Sequence, residues 1–232
     1  MKIIRDIRIK INEEEVLRYQ GYSKNKMKKP NRIILKITQE EIEQGYHLFE
    51  PKVIYFKLMV KKITSEERIN LENGLYLEIN DSMFNLLRGA SYLVFGVVTI
   101  GSSLENKVSE FFSQEEYPRA LALDAVGTVA VENLSRYVRN LVCQKTKDKN
   151  FQTTRYFSPG YSDWGISHQK EIFKIIPAYK IGVKLNDSCM MIPKKSLSWV
   201  LGVGKNIITP SKEEGHSCKT CQAKNCQFRK TF

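Results

Sequence analysis

The stretch "GASYLVFGVVTIGSSL", residues 89–104, decides how this chain folds. It carries no charge between Arg88 and Glu105, and β-branched and aromatic residues fill its centre. Glycines and serines dilute it, and it is shorter than the roughly 20 apolar residues that a membrane-spanning helix needs. We therefore expect a buried strand that ends at Gly101, and no membrane segment.

Strand and helix patterns alternate irregularly on both sides of this strand. The segment 52–63, "KVIYFKLMVKKI", is rich in β-branched and aromatic residues and predicts a strand. A helix capped by Thr38 and ending at Gly45 is expected before it, and a much longer helix over about 117–143 after it. Further strands with hairpin-like spacing follow late in the chain. The pattern predicts an α+β protein with one main domain.

Composition and charge restrict the environment and the partners of the protein. The chain has 232 residues, 42% of them hydrophobic, which is enough to bury a real core. Five cysteines, an odd number, argue against a disulfide framework, and no signal peptide is visible, so we expect a cytoplasmic protein. The net charge of +12 favours an acidic protein partner. Nucleic acid is the weaker alternative, because no motif of a nucleic-acid-binding fold accompanies the basic residues.

The segment "RYFSPGY", residues 155–161, places a fixed planar cation directly before a turn. Arg155 can bind a carboxylate or a phosphate through two parallel hydrogen bonds. Pro159 presets one turn dihedral and Gly160 accepts a positive φ, so the backbone can approach a ligand closely. Tyr161 adds a flat ring and a hydroxyl. The segment is either a ligand site or a surface arginine beside an ordinary loop.

The long helix carries a polar stripe in its least polar part. Asp124, Thr128 and Glu132 recur every four residues in "LDAVGTVAVE", so they lie along one face of the helix. Gly127 interrupts the helix at a cost of about 1 kcal/mol unless something packs there. The stripe either receives an amine or ribose hydroxyls, or it faces solvent.

Three cysteines and a histidine lie together near the C-terminus, in "HSCKTCQAKNCQFR". Cys218, Cys221 and Cys226 have the spacing of a thiolate metal site, with His216 two residues before them. Zinc or an iron–sulfur cluster would fit, and the alternative is a tail that binds no metal. No catalytic motif and no catalytic residue can be assigned elsewhere, so any chemistry would depend on a bound cofactor.

Several motifs, in this order, resemble the activation domain of cobalamin-dependent methionine synthase, a family with free-standing members. They are "VVTIG" followed by "LE", "LDAVGTVAVENLSRYV", "RYFSPGYS" and "LNDSCMMIP", which span residues from about 93 to 200. The resemblance implies a single domain with a mostly antiparallel twisted sheet and flanking helices. It divides the chain into an N-terminal part of that domain (1–90), an activation core (91–208) and a cysteine-containing tail (209–232).

The resemblance also implies a ligand and a set of contacts. The family binds S-adenosylmethionine in a shallow groove, where Arg155 would hold the methionine carboxylate and Gly160 and Tyr161 would line the groove. Glu132 would face the nucleoside, and Asp124 is assigned to the same site.

The implied function is reactivation of a methyltransferase. The chain would supply S-adenosylmethionine for the reductive remethylation of cob(II)alamin, with an electron from a flavodoxin-type donor. Because it lacks a D-x-H-x-x-G cobalamin motif, the corrinoid would belong to a partner, a methionine synthase subunit or another corrinoid protein. Three alternatives stay open: an activator of a different corrinoid methyltransferase, a metal or redox module built on the cysteine tail, and a nucleic-acid binder with a zinc tail.

Overall fold

An antiparallel sheet organises the chain in the computed structural model, which describes residues 1–22, 29–64, 67–147, 150–161, 164–205 and 207. Within these residues the sheet has seven strands in the order β4–β3–β2–β5–β9–β6, and β1 also pairs with β2. A separate hairpin is formed by β7 and β8. The strands are β1 (Lys2–Arg5), β2 (Lys52–Thr64), β3 (Arg68–Leu71), β4 (Tyr76–Glu78), β5 (Tyr92–Thr99), β6 (Gln152–Phe157), β7 (Lys184–Leu185), β8 (Met191–Ile192) and β9 (Ser196–Gly204).

Helices cover both faces of this sheet. The longest helix, α5, packs on one face together with α1, α2 and α4, while α3 and α6 lie on the other. The predicted α+β fold with a mostly antiparallel sheet is therefore confirmed. The helices in the described residues are α1 (Glu13–Tyr19), α2 (Arg32–Leu48), α3 (Asp81–Leu87), α4 (Ser103–Ser113), α5 (Tyr117–Lys147) and α6 (Gln169–Ile175).

The strand β5 is buried on both faces, as its uninterrupted apolar sequence predicts. Val94 and Val98 face α5, and Phe95 and Val97 face the opposite core. Successive side chains of a strand point to opposite faces. When both faces are buried, apolar residues occupy every position instead of alternating with polar ones. Gly96 lies opposite Trp199 of β9, and a Cβ at Gly96 would fall 2.2 Å from the Trp199 ring. The glycine makes room for the indole.

The helix α5 approaches its neighbours closely where it carries small residues. A Cβ at Gly127 would lie 2.7 Å from a methyl group of Leu104, so the glycine lets α4 pack tightly against α5. Gly45 of α2 plays the same role against Val126 of α5. Glycine has a low helix propensity, and the close packing that Gly127 allows offsets this cost.

The prediction for α2 was wrong at both ends. The helix begins at Arg32, with Asn31 as its N-cap accepting from the Ile34 N–H, and it continues to Leu48. Thr38 is buried inside the helix, where its hydroxyl donates to the Ile34 carbonyl. The β-branched residues that suggested an extended segment are helical because packing against α5 outweighs their weak local preference.

Several late segments also differ from the sequence-based prediction. The sequence predicts a strand over "KIGVKLNDSCMMI", residues 180–192, but this segment contains the small β7–β8 hairpin; β6 was not predicted. In contrast, β2 forms as a strand, as predicted, and its first eight residues pair with the whole of β5. The boundaries at residues 90 and 208 stay predictions. No helix in the described residues is long and apolar enough to span a membrane.

Candidate functional site

Arg155 lies on β6 at an irregularity in the sheet. The pairing with β9 shifts between Thr153 and Tyr156, so Thr154 and Arg155 together oppose Gly202. The Gly202 N–H donates to the Thr154 hydroxyl, with the nitrogen 2.9 Å from Oγ1, so a side chain takes over a hydrogen bond of the ladder. A β-bulge of this kind bends the strand and redirects a side chain, and such bulges are common beside functional sites.

The half-buried guanidinium of Arg155 is available to an anionic ligand. Its carbon lies 5.3 Å from the centre of the Phe157 ring, a cation–π contact that positions the group and leaves its N–H donors for other partners. Among the described residues, no carboxylate forms an ion pair with Arg155. A half-buried guanidinium without an acidic partner is suited to bind a carboxylate or phosphate.

The turn after β6 has the predicted geometry. The Tyr161 N–H donates to the Ser158 carbonyl over 3.2 Å, and Gly160 has a φ of 89°. With Pro159 and Gly160 at its centre, this is a type II turn, which requires positive φ at its third residue. The Gly160 N–H donates to the Trp164 carbonyl, which holds the turn against the following segment.

Glu132 and Tyr161 lie in one cluster with two further tyrosines. Glu132 comes from the middle of α5 and Tyr161 from the turn, while Tyr156 comes from β6 and Tyr19 from α1. The Asn133 side chain donates to the Lys10 carbonyl over 2.7 Å, which ties the N-terminal segment to α5 beside this cluster. Four distant parts of the sequence thus contribute to one site.

Two tyrosines of this cluster, Tyr19 and Tyr161, have raised pKa values. Loss of hydration raises the pKa of Tyr161, and the negative charge of Glu132 raises it further, although 44% of the residue is exposed. Burial likewise raises the pKa of Tyr19, and Glu132 acts in the same direction, whereas the nearby Arg18 lowers it. The phenols can donate or accept hydrogen bonds but do not compete with Glu132 as anions.

A buried cation borders the cluster on α5. Arg139 is 8% exposed, its guanidinium carbon lies 3.7 Å from the centre of the Tyr156 ring, and it donates to the Ser135 hydroxyl over 2.6 Å. The contact orients Tyr156 toward α5. Sequence analysis missed Tyr19, Tyr156 and Arg139, because only the fold brings α1, α5 and β6 together. The seven-residue spacing from Glu132 to Arg139 was the one local signal, since it places both on one helix face.

Asp124 does not join this cluster. It lies two turns before Glu132, about 12 Å away along the helix axis. Its carboxylate forms an ion pair with Lys195, with Nζ 2.9 Å from Oδ1, and the same Nζ donates to the Thr128 hydroxyl over 2.8 Å. One interpretation of the sequence was that the polar stripe binds an amine. It does, but the amine is the Lys195 side chain and not a ligand.

The predicted metal ligands Cys218, Cys221, Cys226 and His216 lie outside the described residues. Their role stays a prediction.

Comparison with known proteins gives a likeness in structure. No protein-family model matches the sequence, and no curated protein matches it either. Among solved structures, the chain is similar to the crystal structure of the MetH reactivation domain bound to AdoHcy. The two share 14% sequence identity and a TM-score of 0.60 over 92% of this chain and 80% of that one. This chain has the reactivation-domain fold. The fold implied by the sequence motifs is therefore confirmed, and the likeness covers the N-terminal part as well as the segment that contains those motifs.

Proposed function

We propose that this protein binds S-adenosylmethionine in the site formed by Glu132, Arg155 and Tyr161. The observation that carries the proposal is the closeness of Glu132 to Tyr161. Arg155 lies on the neighbouring bulge of β6 and has no ion-pair partner among the described residues; it is assigned to the site from the sequence motif. These are the residues that the sequence motifs single out, and the similar solved domain binds AdoHcy. AdoHcy is what remains of S-adenosylmethionine after its methyl group is transferred.

The chemical groups present match those of the ligand. Arg155 would bind the carboxylate of the methionine part through charge-assisted hydrogen bonds. Glu132 would accept hydrogen bonds from the ribose hydroxyls, and the ring of Tyr161 would cover the ligand from the turn. The φ of 89° at position 160 favours glycine, and because Gly160 has no side chain, the turn does not crowd the ligand. Asp124, occupied by Lys195, would contribute only if that ion pair opened.

The further proposal is that the ligand serves reductive reactivation of a corrinoid protein. One electron would reduce the partner's cob(II)alamin to cob(I)alamin. Transfer of the methyl group from the sulfonium sulfur of S-adenosylmethionine would then break the carbon–sulfur bond, form a carbon–cobalt bond and release AdoHcy. The electron would come from a flavodoxin-type donor, and the corrinoid from a methionine synthase subunit or another corrinoid methyltransferase. The net charge of +12 supports docking to acidic partners. The chain would act as an accessory part of the methyltransferase, in the cytoplasm.

Calorimetric titration of S-adenosylmethionine and AdoHcy into the full chain tests the binding site. Arg155→Ala should weaken binding by about 1.5–3 kcal/mol, because a charge-assisted contact to the carboxylate is lost. Arg32→Ala is the matched control, since this exposed arginine lies on α2, in a different part of the fold. Equal affinity of the Arg155 and Arg32 variants would remove Arg155 from the site, and absence of binding to the wild type would refute the proposal.

A further inference from the structure

A second group of polar side chains lies on the face of the sheet opposite α5. Glu78 ends the edge strand β4, while His168 and Glu171 lie at the start of α6. One ligand atom from each of these three residues lies within 4.8 Å of the other two. We call these three residues the Glu78 cluster. Glu78 and His168 border a pocket of about 250 Å³ that Asn80 and Trp164 also line.

The geometry of the Glu78 cluster is close to that of a metal site. His168 Nδ1 lies 2.9 Å from Glu171 Oε1. Two ligand atoms that each lie about 2.1 Å from one metal ion, with an angle of about 90° at the ion, are about 3.0 Å apart, which is close to this distance. His168 and Glu171 are one helical turn apart, so the helix itself holds this pair together. Glu78 has a side chain that is 47% exposed and can rotate to complete the site.

The backbone already orients one of the ligands. Glu171 Oε2 accepts a hydrogen bond from the Glu78 N–H over 2.8 Å. This bond holds the carboxylate between α6 and β4 and leaves Oε1 directed at His168. Metal-binding carboxylates are commonly oriented by such a second hydrogen bond.

Two residues that line the same pocket carry buried donors without an acceptor. The indole N–H of Trp164, a residue only 3% exposed, has no hydrogen-bond partner in the described structure, and neither has the side-chain amide nitrogen of Asn80. Buried donors without an acceptor are costly, at about 1–3 kcal/mol each. An anion alone would be repelled by Glu78 and Glu171, whereas a divalent cation is attracted by both carboxylates.

One positive charge competes for the site. Arg68 Nη2 lies 3.5 Å from Glu78 Oε1, and the two side chains are 42% and 47% exposed. A long contact between exposed groups contributes little, because water screens the charges. An ion of charge +2 can therefore displace Arg68, which also stacks on the Tyr76 ring, 4.4 Å away.

We propose that Glu78, His168 and Glu171 bind a divalent transition-metal ion. One imidazole and two carboxylates favour ions such as Mn²⁺, Fe²⁺ and Zn²⁺, since an imidazole ligand suits transition metals better than Mg²⁺ or Ca²⁺. None of these three residues belongs to the proposed S-adenosylmethionine site or to the predicted cysteine ligands.

Titration of the full chain with Mn²⁺, followed by the loss of the free-ion electron paramagnetic resonance signal, tests the proposal. Mn²⁺ prefers oxygen and nitrogen ligands over thiolates, so the cysteine tail does not obscure the result. We expect one Mn²⁺ per chain at this site. Glu78→Gln and His168→Gln should each weaken binding at least about tenfold. Glu43→Gln and His47→Gln, exposed residues of α2, are matched controls that should leave it unchanged.

Glu78→Gln separates a metal site from a purely structural contact. It leaves intact both the backbone N–H that Glu171 accepts from and the His168–Glu171 pair, so a structural role predicts no change in Mn²⁺ binding. Trp164 gives a second signal, because its ring stacks on His168 with the ring centres 5.7 Å apart. Mn²⁺ at the site should quench its fluorescence, and His168→Gln should abolish the quenching. Absence of saturable binding, or equal affinity of the Glu78 and Glu43 variants, would overturn the proposal.

Discussion

The two halves of α5 carry similar charged residues and use them differently. In the first half, charges pair within the protein: Arg119 with the buried Glu41, and Asp124 with Lys195. In the second half, Glu132 lies near the uncharged hydroxyls of Tyr19 and Tyr161. Two carboxylates on the same helix stripe thus have different surroundings: Asp124 forms an ion pair with Lys195, and Glu132 lies in the tyrosine cluster of the candidate site. The partners supplied by distant segments make the difference.

The difference between the two carboxylates is tested most directly by removing Glu132 and Asp124 in turn. Glu132→Ala should weaken binding of S-adenosylmethionine by about 1.5–3 kcal/mol, because a charged hydrogen-bond acceptor is lost. Asp124→Ala should change the affinity by less than about 0.5 kcal/mol, because it removes only a partly exposed ion pair. Calorimetric titration of both variants measures the two affinities. A larger loss for Asp124→Ala would assign the ligand to the Lys195 end of the helix.

A second effect concerns the buried pair at the start of α5. Arg119 Nε lies 2.6 Å from Glu41 Oε1, and the Glu41 side chain is fully buried. Arg119→Ala should lower the free energy of unfolding by about 1–2 kcal/mol at pH 7, because the buried carboxylate loses its partner. Denaturant unfolding at several pH values checks this.

The pH dependence of that loss has a defined sign. Burial raises the pKa of Glu41, and Arg119 opposes the shift. A carboxyl group with a raised pKa in the folded state contributes stability that is complete below its ordinary pKa and is lost as the pH rises through the folded value. The destabilisation by Arg119→Ala should therefore shrink as the pH falls from 7 toward about 4.5. In an Arg119→Ala, Glu41→Gln double variant this pH dependence should disappear; if it persists, another group causes it.

The smallest expected effect is the contribution of the Asp124–Lys195 ion pair to the free energy of unfolding. Asp124 is 51% exposed at its side chain, so Asp124→Asn should cost only about 0.2–1 kcal/mol in the free energy of unfolding. The cost should fall in high salt, which screens the charges. Thermal unfolding at low and high salt measures it. A loss of several kcal/mol would mean that the Lys195 contact is a core interaction and not a surface one.

The sequence by itself determined the features that depend on neighbouring residues. The apolar run over 92–99 specified a buried strand, and Asn12 specified the start of α1, where it caps the Glu15 N–H. Pro159 and Gly160 specified the turn, because their steric limits act within two residues. The order of motifs was enough to predict the fold, although no single motif was.

Only the tertiary structure decided which charges meet. Lys195 lies far along the chain from Asp124, and neither the spacing of the polar stripe nor the composition indicates that they pair. The bulge that presents Arg155 depends on β9, and the tyrosine cluster depends on the docking of α1 against α5. The start of α2 was missed for the same reason, since packing against α5 overrides a weak local preference. Local sterics act within a few residues, whereas burial and ion pairing depend on segments that only the folded chain brings into contact.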